Sequence, residues 1–221
     1  MRRQVTPELL DSDSGAPAEI AASLADLRFI NRWFGGTGAT LAMIEDVAHR
    51  LHKSSLTLLE AAAGSGDVPK TARQKLLRKG IQLRVSLLDR SRSHLDGSAH
   101  SVVGDALCLP FRDNSFDLIS CGLFAHHLSP GQLLRFVNES LRVCRAAVLI
   151  NDLIRDPIHL ALVYAGFPLY RSRLTRHDGP ASVRAAYTRG EMRTLLRQTA
   201  ATRVDIGRHY LFRMGVIVWK Q

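Results

Sequence analysis

Carboxylates and glycines follow the first predicted strand of the chain. Residues 60–67 read E-A-A-A-G-S-G-D directly after the apolar run Leu56–Leu59. Small residues in such a turn let a ligand lie against the backbone. The third glycine of a dinucleotide-binding G-x-G-x-x-G turn is absent, and Asp67 stands where a diphosphate would pass. Glu60 and Asp67 therefore favour a ligand that carries positive charge.

A second carboxylate ends the next apolar run. Asp89 follows Val85–Leu88 and lies 23 residues beyond Gly66. A carboxylate about 20 residues after a glycine turn is placed to accept hydrogen bonds from ribose hydroxyls. The alternative role for an aspartate at this position is the N-cap of a helix.

Two histidines follow the fourth apolar run, Phe116–Cys121. An imidazole near its ordinary pKa can remove a proton from a phenol or an alcohol. Adjacent helical residues point about 100° apart, so we expect only one of the pair to face a site, and we predict His126 as the catalytic base. A structural or capping histidine is the alternative. No third ligand is spaced to join His126 and His127, so no metal site is predicted.

The elements that must position these residues alternate between strands and helices. Short continuous apolar runs are typical of a parallel sheet that is buried on both faces. Apolar residues at helical spacing predict helices over residues 17–34 and 39–52, and capping boxes at Ser129 and Thr188 predict the start of two later helices. The polar residues 1–16, which include Asp13 and Ser14, predict a frayed arm.

Four segments, in order between residues 58 and 151, resemble the class I S-adenosylmethionine-dependent methyltransferases. The first motif of that family is an acidic residue followed by x-G-x-G-x-G, and residues 60–66 match it with Ala62 in place of the first glycine. Asp89 matches the acidic position of the second segment. Residues 104–111, G-D-A-L-C-L-P-F, resemble the family's G-D-A-x-x-L-P-F, and residues 115–119, S-F-D-L-I, resemble its S-F-D-x-[IV] strand.

This resemblance implies S-adenosylmethionine as the cofactor and S-adenosylhomocysteine as the product. It implies that Asp89 binds the ribose, that Asp105 and the backbone of Ala106 meet the adenine, and that the backbone after the fourth strand borders the cofactor. Arg32 is a candidate partner for the cofactor's carboxylate. The predicted cofactor-binding residues are Glu60, Ala62, Gly64, Gly66, Asp67, Asp89, Arg90, Asp105, Ala106, Cys121 and Arg32.

Two outer segments resemble a bacterial subgroup of small-molecule methyltransferases, some of which lie beside polyketide synthases. Residues 26–36, D-L-R-F-I-N-R-W-F-G-G, look like the subgroup's lid helix, and residues 176–182, R-H-D-G-P-A-S, are shared with it. The resemblance implies secondary metabolism and O-methylation of an aromatic or polyketide-type hydroxyl. Trp33, His127 and His177 are the predicted substrate-binding residues. His177 is expected in an irregular loop, and core packing and a salt-bridged turn are the alternatives for Trp33 and His177.

The fold class implied is α/β. We expect a Rossmann-like, doubly wound, seven-stranded sheet with an antiparallel last strand near residues 212–220 and an N-terminal helical lid. Residues 1–53 are predicted to form the arm and lid helices, and residues 54–221 the methyltransferase domain. The expected partner is a small-molecule acceptor, and the expected oligomeric state is a monomer or a homodimer.

The strongly basic charge leaves alternatives open. The 221 residues carry a net charge of +10, and 25 of the 30 basic residues are arginine. An RNA methyltransferase that uses the arginine-rich residues 171–213 is one alternative. A dehydrogenase on the same sheet and a non-catalytic cofactor-binding relative are others. No N-P-P-Y or D-P-P-Y motif follows the fourth run, which argues against methylation of exocyclic amines on nucleic-acid bases.

Composition also narrows the cellular setting. No apolar run approaches the roughly 18–20 residues of a membrane span, and no apolar segment follows the two N-terminal arginines, so neither a span nor a secretory signal is predicted. The three cysteines, Cys108, Cys121 and Cys144, are too few and too scattered for a disulfide framework. We therefore expect a reducing cytoplasm, and the resemblance to the bacterial subgroup implies a bacterial one.

Overall fold

The computed structural model describes residues 1–12, 15–95 and 100–220. Asp13 and Ser14, which belong to the predicted arm, lie outside these ranges. The described chain forms seven strands and seven α-helices. The strands are β1 (Ser55–Ala61), β2 (Gln82–Asp89), β3 (Ser101–Val103), β4 (Phe116–Gly122), β5 (Cys144–Leu153), β6 (Arg203–His209) and β7 (Arg213–Trp219). The helices are α1 (Pro17–Trp33), α2 (Gly36–Arg50), α3 (Asp67–Leu77), α4 (Pro130–Val143), α5 (Pro157–Ala165), α6 (Arg173–Ala185) and α7 (Arg189–Leu196).

All seven strands form one sheet in the order β3-β2-β1-β4-β5-β7-β6. Strands β1 to β5 are mutually parallel, and β7 runs antiparallel to both of its neighbours. The order reverses between β1 and β4, which is the switch point where open α/β sheets bind ligands. The predicted doubly wound sheet with an antiparallel last strand is confirmed.

Helices cover both faces of the sheet, as the continuous apolar strands require. Apolar residues of α4 and α7, among them Phe136 and Met192, pack on one face, and those of α2 and α3, among them Ile44 and Leu76, pack on the other. Burial on both faces explains why the strands lack an alternating polar pattern. Among the helices of the described ranges, none combines the length and the apolar character of a bilayer span.

Both predicted capping boxes lie at the start of a helix. Ser129 Oγ accepts a hydrogen bond from Gln132 N at the start of α4, and Thr188 Oγ1 accepts one from Glu191 N at the start of α7. The prediction of an irregular loop around His177 is wrong, because that residue lies inside α6. Ser172 caps α6 by accepting from Leu174 N, and the helix continues through Pro180.

The N-terminal arm is held against the domain, so the prediction of a frayed arm is wrong for its first ten residues. Arg3 donates to the carbonyl oxygens of His126 and Leu128 at 2.8 and 2.9 Å. Its guanidinium also lies 4.2 Å from the centre of the Tyr187 ring. The backbone N–H groups of Leu9 and Leu10 donate to the carboxylate of Asp178. Polar composition alone does not reveal these contacts, because every partner is distant in sequence.

The turn between β1 and α3 needs backbone conformations that favour glycine. Gly66, the residue before α3, has φ +68°, and a Cβ there would lie 2.6 Å from Leu87 Cδ1. Gly64 also has a positive φ, at +52°. Ala62, which replaces the first glycine of the motif, adopts φ +52° despite its side chain. The turn is therefore under steric constraint at one end and accepts alanine at the other.

Gly66→Ala is expected to lower the free energy of unfolding by about 2–4 kcal/mol. The substitution combines a left-handed alanine with a clash against the buried Leu87 side chain. Gly38→Ala is the matched control, because Gly38 lies inside α2 with open space around its Cβ position. It should raise stability by about 0.5–1 kcal/mol. Urea denaturation measures both, and equal stability of the two variants would contradict this description of the turn.

Candidate active site

A cavity of about 1160 Å³ lies at the carboxyl ends of β1, β2 and β4. Helices α1, α5 and α6 and part of the N-terminal arm complete its walls. Pockets for a single small ligand usually measure about 300–1,000 Å³, so this cavity is large enough for two. Its position at the switch point of the sheet is the one that the parallel topology favours.

Asp89 connects the turn after β1 to the end of β2. Its Oδ2 accepts a hydrogen bond from Gly64 N at 2.7 Å, and its Oδ1 accepts one from Ser91 N at 2.9 Å. The residue is 8% exposed and lies on the cavity wall. Because each carboxylate oxygen can accept more than one hydrogen bond, Asp89 can brace the turn and bind hydroxyl groups at the same time.

Glu60 is a buried carboxyl group on the same wall. Ser120 and the backbone of Gly122 provide hydrogen bonds to it, but burial outweighs them and raises the pKa of Glu60 to about 7. Its Oε2 is buried and has no hydrogen-bond partner within the described ranges. An unpaired acceptor at the edge of a cavity is satisfied when a donor or a cation arrives.

Two further predicted carboxylates lie around the same opening. Asp67 accepts from Ser65 Oγ at 2.5 Å and lies 3.8 Å from the guanidinium of Arg28 in α1. Asp105, beyond β3, accepts from Leu107 N at 2.8 Å, which orders the backbone of the G-D-A segment. The ends of β1, β2 and β3 thus place three separate carboxylate-bearing loops around one cavity.

His126 is clamped between carboxylates after β4. Its Nδ1 lies 2.7 Å from Asp152 Oδ1 of β5, and its Nε2 lies 3.3 Å from Glu8 Oε1 of the arm. Burial lowers the pKa of His126, but Asp152 and Glu8 outweigh it and raise the pKa to about 10. An imidazolium has no lone pair to accept a proton. The general-base role therefore stays a prediction, and the geometry does not support it at neutral pH.

Both histidines of the pair line the cavity, contrary to the expectation that only one does. Residues 125–127 form a single 3-10 turn, and the two rings stack with their centres 4.1 Å apart. Asp11 holds His127 at the same wall, with its Oδ2 2.9 Å from His127 Nδ1. The contact with the arm thus turns the second imidazole toward the first.

A buried cation, the guanidinium of Arg213, lies on the cavity wall. Arg213, at the start of β7, is 2% exposed and donates from Nη2 to Asn31 Oδ1 at 2.9 Å. Its Nη1 is buried without a hydrogen-bond partner in the part of the chain that the structure describes. Burial lowers the pKa of Arg213 to about 10, against the opposing effect of Asp152, so the guanidinium stays charged at neutral pH.

The structure brings most of the predicted residues to this cavity and leaves five elsewhere. Those on its wall are Glu60, Ala62, Gly64, Asp67, Asp89, Arg90, Asp105, Ala106, His126 and His127. Those off the wall are Gly66, Cys121, Arg32, Trp33 and His177.

Each of these five has another environment. Gly66 sits behind the turn against Leu87, and the Cys121 thiol is buried in the core, which raises its pKa well above the usual range. Trp33 is 62% exposed, with Arg32 near its ring. His177 lies beside a separate, smaller cavity, with Nδ1 2.8 Å from Asp178.

Several wall residues were missed by the sequence analysis. They are Glu8, Asn31, Asp178 and Arg213. Asp152, which was also missed, contacts His126 from behind the wall. It stands two residues after the apolar run of the fifth strand, so the rule that identified Asp89 applied there too. The others come from the arm, from two helices and from the antiparallel strand. Their positions depend on long-range packing that no motif encodes.

Comparison with known proteins finds a family match for the middle of the chain. Residues 59–150 match the methyltransferase domain family. A comparison with curated proteins finds no match. Among solved structures, the plantazolicin methyltransferase BpumL in complex with S-adenosylhomocysteine aligns over 97% of this chain and 94% of its own, with a TM-score of 0.72 and 14% identity.

Two further structures share the fold. A SAM-dependent methyltransferase from Aquifex aeolicus aligns over 75% of this chain and 82% of its own, with a TM-score of 0.53 and 18% identity. The CMeT domain of the citrinin polyketide synthase aligns over 76% of this chain and 47% of its own, with a TM-score of 0.52 and 14% identity. At these identities the structures show a common fold.

The family match and the carboxylate-lined cleft at the switch point agree. Residues 59–150 belong to the methyltransferase domain family. The chain shares its fold with solved methyltransferases, among them a SAM-dependent enzyme and one bound to S-adenosylhomocysteine.

Glu60 should make folding stability depend on pH. Its pKa is about 7 in the folded chain against 4.5 for the ordinary group, so the unfolded chain ionises first as pH rises. The stabilisation is complete below pH 4.5 and is lost as pH rises to about 7, by roughly 3 kcal/mol. Glu60→Gln should remove this loss, whereas Glu45→Gln, on the surface of α2, should keep it. Denaturation at pH 5 and pH 7.5 measures the difference, and an unchanged pH dependence in Glu60→Gln would contradict the assignment.

Proposed function

We propose that this chain is a class I S-adenosylmethionine-dependent methyltransferase, and that it transfers the methyl group to a hydroxyl oxygen of a small aromatic or polyketide-type acceptor. The observation that carries the proposal is the buried guanidinium of Arg213 on the cavity wall, whose Nη1 has no hydrogen-bond partner among the described residues. A buried donor with positive charge attracts an oxygen that carries or develops negative charge. A phenol or an enol combines such an oxygen with an apolar body.

The cofactor half of the cavity fits a molecule that has a cationic part and a nucleoside part. Glu60 Oε2 is an unsatisfied acceptor for positive charge, and Asp89 is placed to receive ribose hydroxyls. The family resemblance adds Asp105 and the backbone of Ala106 for the adenine. When bound, S-adenosylmethionine supplies the methyl group as a sulfonium. The chain's own residues orient the two molecules and exclude water.

The acceptor half has apolar and aromatic walls from three directions. Helix α1, the segment around α5 and the connection between β6 and β7 supply them. The side chains that line this half are Leu24, Leu27, Ile30, Phe34, Leu162, Val163, Tyr170, Leu211 and Phe212. Such walls favour an apolar acceptor and disfavour a strongly charged one.

The arm and the first helix form the roof of this cavity. Asp26 of α1 accepts hydrogen bonds from Arg171 N and Ser172 N at the start of α6, which fixes α1 across the opening. We therefore also propose that residues 1–53 form the arm and the lid, and that residues 54–221 form the methyltransferase domain. Two aromatic residues lie at the end of α1. Phe34 lines the cavity, and Trp33 is exposed to solvent.

Two solved structures with related folds support a natural-product acceptor. A plantazolicin methyltransferase was crystallised with a monoazolic desmethylPZN analogue, and another neighbour is a polyketide synthase domain. Secondary metabolism, a bacterial cytoplasmic setting and a monomeric or homodimeric state remain parts of the proposal.

No observation favours the RNA alternative over a small acceptor. Several arginines of residues 171–213 make contacts within the chain: Arg173 pairs with Glu19, Arg203 with Asp205, and Arg213 is buried. These contacts account for part of the basic charge without a nucleic-acid partner.

A methyl-transfer assay against a panel of phenols, enols, amines and carbon acids tests the proposal. Phenols or enols should gain one methyl group on oxygen, as judged by mass spectrometry and NMR. Arg213→Met should raise the acceptor KM at least tenfold, because a charge-assisted hydrogen bond is worth about 1.5–3 kcal/mol. Arg213→Lys keeps the charge and should lose less. Arg203→Gln, on the exposed part of β6, is the control and should match the parent.

Two results would contradict the proposal. One is transfer of the methyl group to nitrogen or carbon in preference to oxygen. The other is a parental acceptor KM in Arg213→Met. Binding of S-adenosylhomocysteine to each variant shows that the cofactor half is intact and keeps the comparison confined to the acceptor.

A further inference from the structure

Two imidazoles and a carboxylate converge on the cavity wall where the arm crosses the end of β4. Glu8, His126 and His127 each present a ligand atom, and these three atoms lie within 4.8 Å of one another. All three residues line the large cavity. Two histidines and one glutamate form a donor set that binds divalent metals in catalytic zinc sites.

Each of these side chains is held from behind by a second polar group. Asp152 contacts His126 Nδ1 at 2.7 Å, and Asp11 contacts His127 Nδ1 at 2.9 Å. Ser182 Oγ donates to Glu8 Oε1 at 2.5 Å. A carboxylate on one ring nitrogen leaves the other nitrogen of each histidine for a ligand. The same arrangement orients metal-binding histidines in proteins generally.

The remaining ring nitrogens both face Glu8. His126 Nε2 lies 3.3 Å from Glu8 Oε1, and His127 Nε2 lies 4.0 Å from Glu8 Oε2. Bonds of about 2.0–2.2 Å in a tetrahedral site separate neighbouring ligand atoms by about 3.3–3.5 Å. The first separation already fits. The second ends on the other oxygen of the same carboxylate, and the three ligand atoms, one per residue, lie within 4.8 Å of one another, so His127 must move closer for one ion to bind all three.

His126 Nε2 supplies an independent sign that a ligand is missing. The side chain is 3% exposed, and Nε2 forms no hydrogen bond with any residue that the structure describes. Three carboxylates, Glu8, Asp11 and Asp152, contact the two imidazoles.

We propose that Glu8, His126 and His127 bind one zinc-like divalent metal ion, with its open coordination position toward the cavity. Asp152, Asp11 and Ser182 act as positioning residues that orient the three ligands. The ion binds the lone pair of Nε2 on the neutral imidazole of His126. Its open position suits an oxygen of the acceptor.

The existence of this site stands on the geometry of the cluster alone, whereas its role toward an acceptor oxygen rests on the proposed function. Metal binding and general-base catalysis at His126 exclude each other, because both need the same Nε2 lone pair. The site therefore assigns His126 a role different from the one predicted from the sequence. It also makes the arm part of the active site, since Glu8 lies on it.

Zinc titration of the full chain, after treatment with a chelator and dialysis, tests the site. Calorimetry with ZnCl₂ should show one ion bound per chain, and Co²⁺ should give the visible absorption of a low-symmetry site. Glu8→Gln and His127→Gln should each weaken zinc binding at least tenfold. His49→Gln is the control, because His49 is an exposed histidine in the last turn of α2 and contacts neither the arm nor the cluster.

Either of two results would overturn the proposal: no zinc binding by the folded parent, or binding that Glu8→Gln and His127→Gln leave unchanged. Binding of S-adenosylhomocysteine, measured on the same samples, shows that each variant is folded. If the chain transfers a methyl group to oxygen but binds no zinc, the metal site is wrong and the proposed function stands. If the chain binds zinc, the two variants abolish that binding, and no oxygen is methylated, the metal site stands and the proposed function is wrong.

Discussion

Burying a carboxylate at the end of a strand costs free energy unless hydrogen-bond donors or cations match its oxygens. This constraint shapes the site at three strand ends. Asp89 is matched by backbone N–H groups of the neighbouring loops. Asp152 is matched by His126 and by two backbone N–H groups, and its pKa is lowered although burial opposes this. Glu60 is matched at one oxygen only. The incompletely matched group lies on the cavity wall.

The roof over this edge depends on the same kind of interaction. Asp26 joins α1 to the start of α6, and Asp178 joins α6 to the backbone of the arm. Each carboxylate accepts from two consecutive N–H groups, a geometry that stabilises a charge in a partly buried place. The cover of the cavity is thus positioned by specific hydrogen bonds as well as by apolar packing.

Local sequence patterns predicted what depends on local chemistry. The strand ends, the turn after β1 and the helix starts at Ser129 and Thr188 follow from apolar runs, small residues and capping boxes, and the structure has all of them. Side-chain direction was less predictable. The Cys121 thiol points into the core although its neighbour Gly122 lines the cavity, because successive strand residues face opposite ways.

Contacts between distant segments were not predictable from one sequence. Glu8 reaches His126 only because Arg3 and Asp178 hold the arm in place, and Arg213 reaches Asn31 only because β7 is inserted beside β5. Glu8 lies close to both His126 and His127 although nothing in their spacing along the chain suggests it, since spacing along the chain does not report spacing in the fold.

The central claim is that the carboxylate-lined cleft binds a sulfonium cofactor and not a dinucleotide. Calorimetric titration of the parent chain with S-adenosylmethionine, S-adenosylhomocysteine and NAD⁺ under one set of conditions tests it most directly. We predict one site per chain for each of the first two ligands and no measurable binding of NAD⁺. Saturable binding of NAD⁺ without binding of either sulfur compound would contradict the claim.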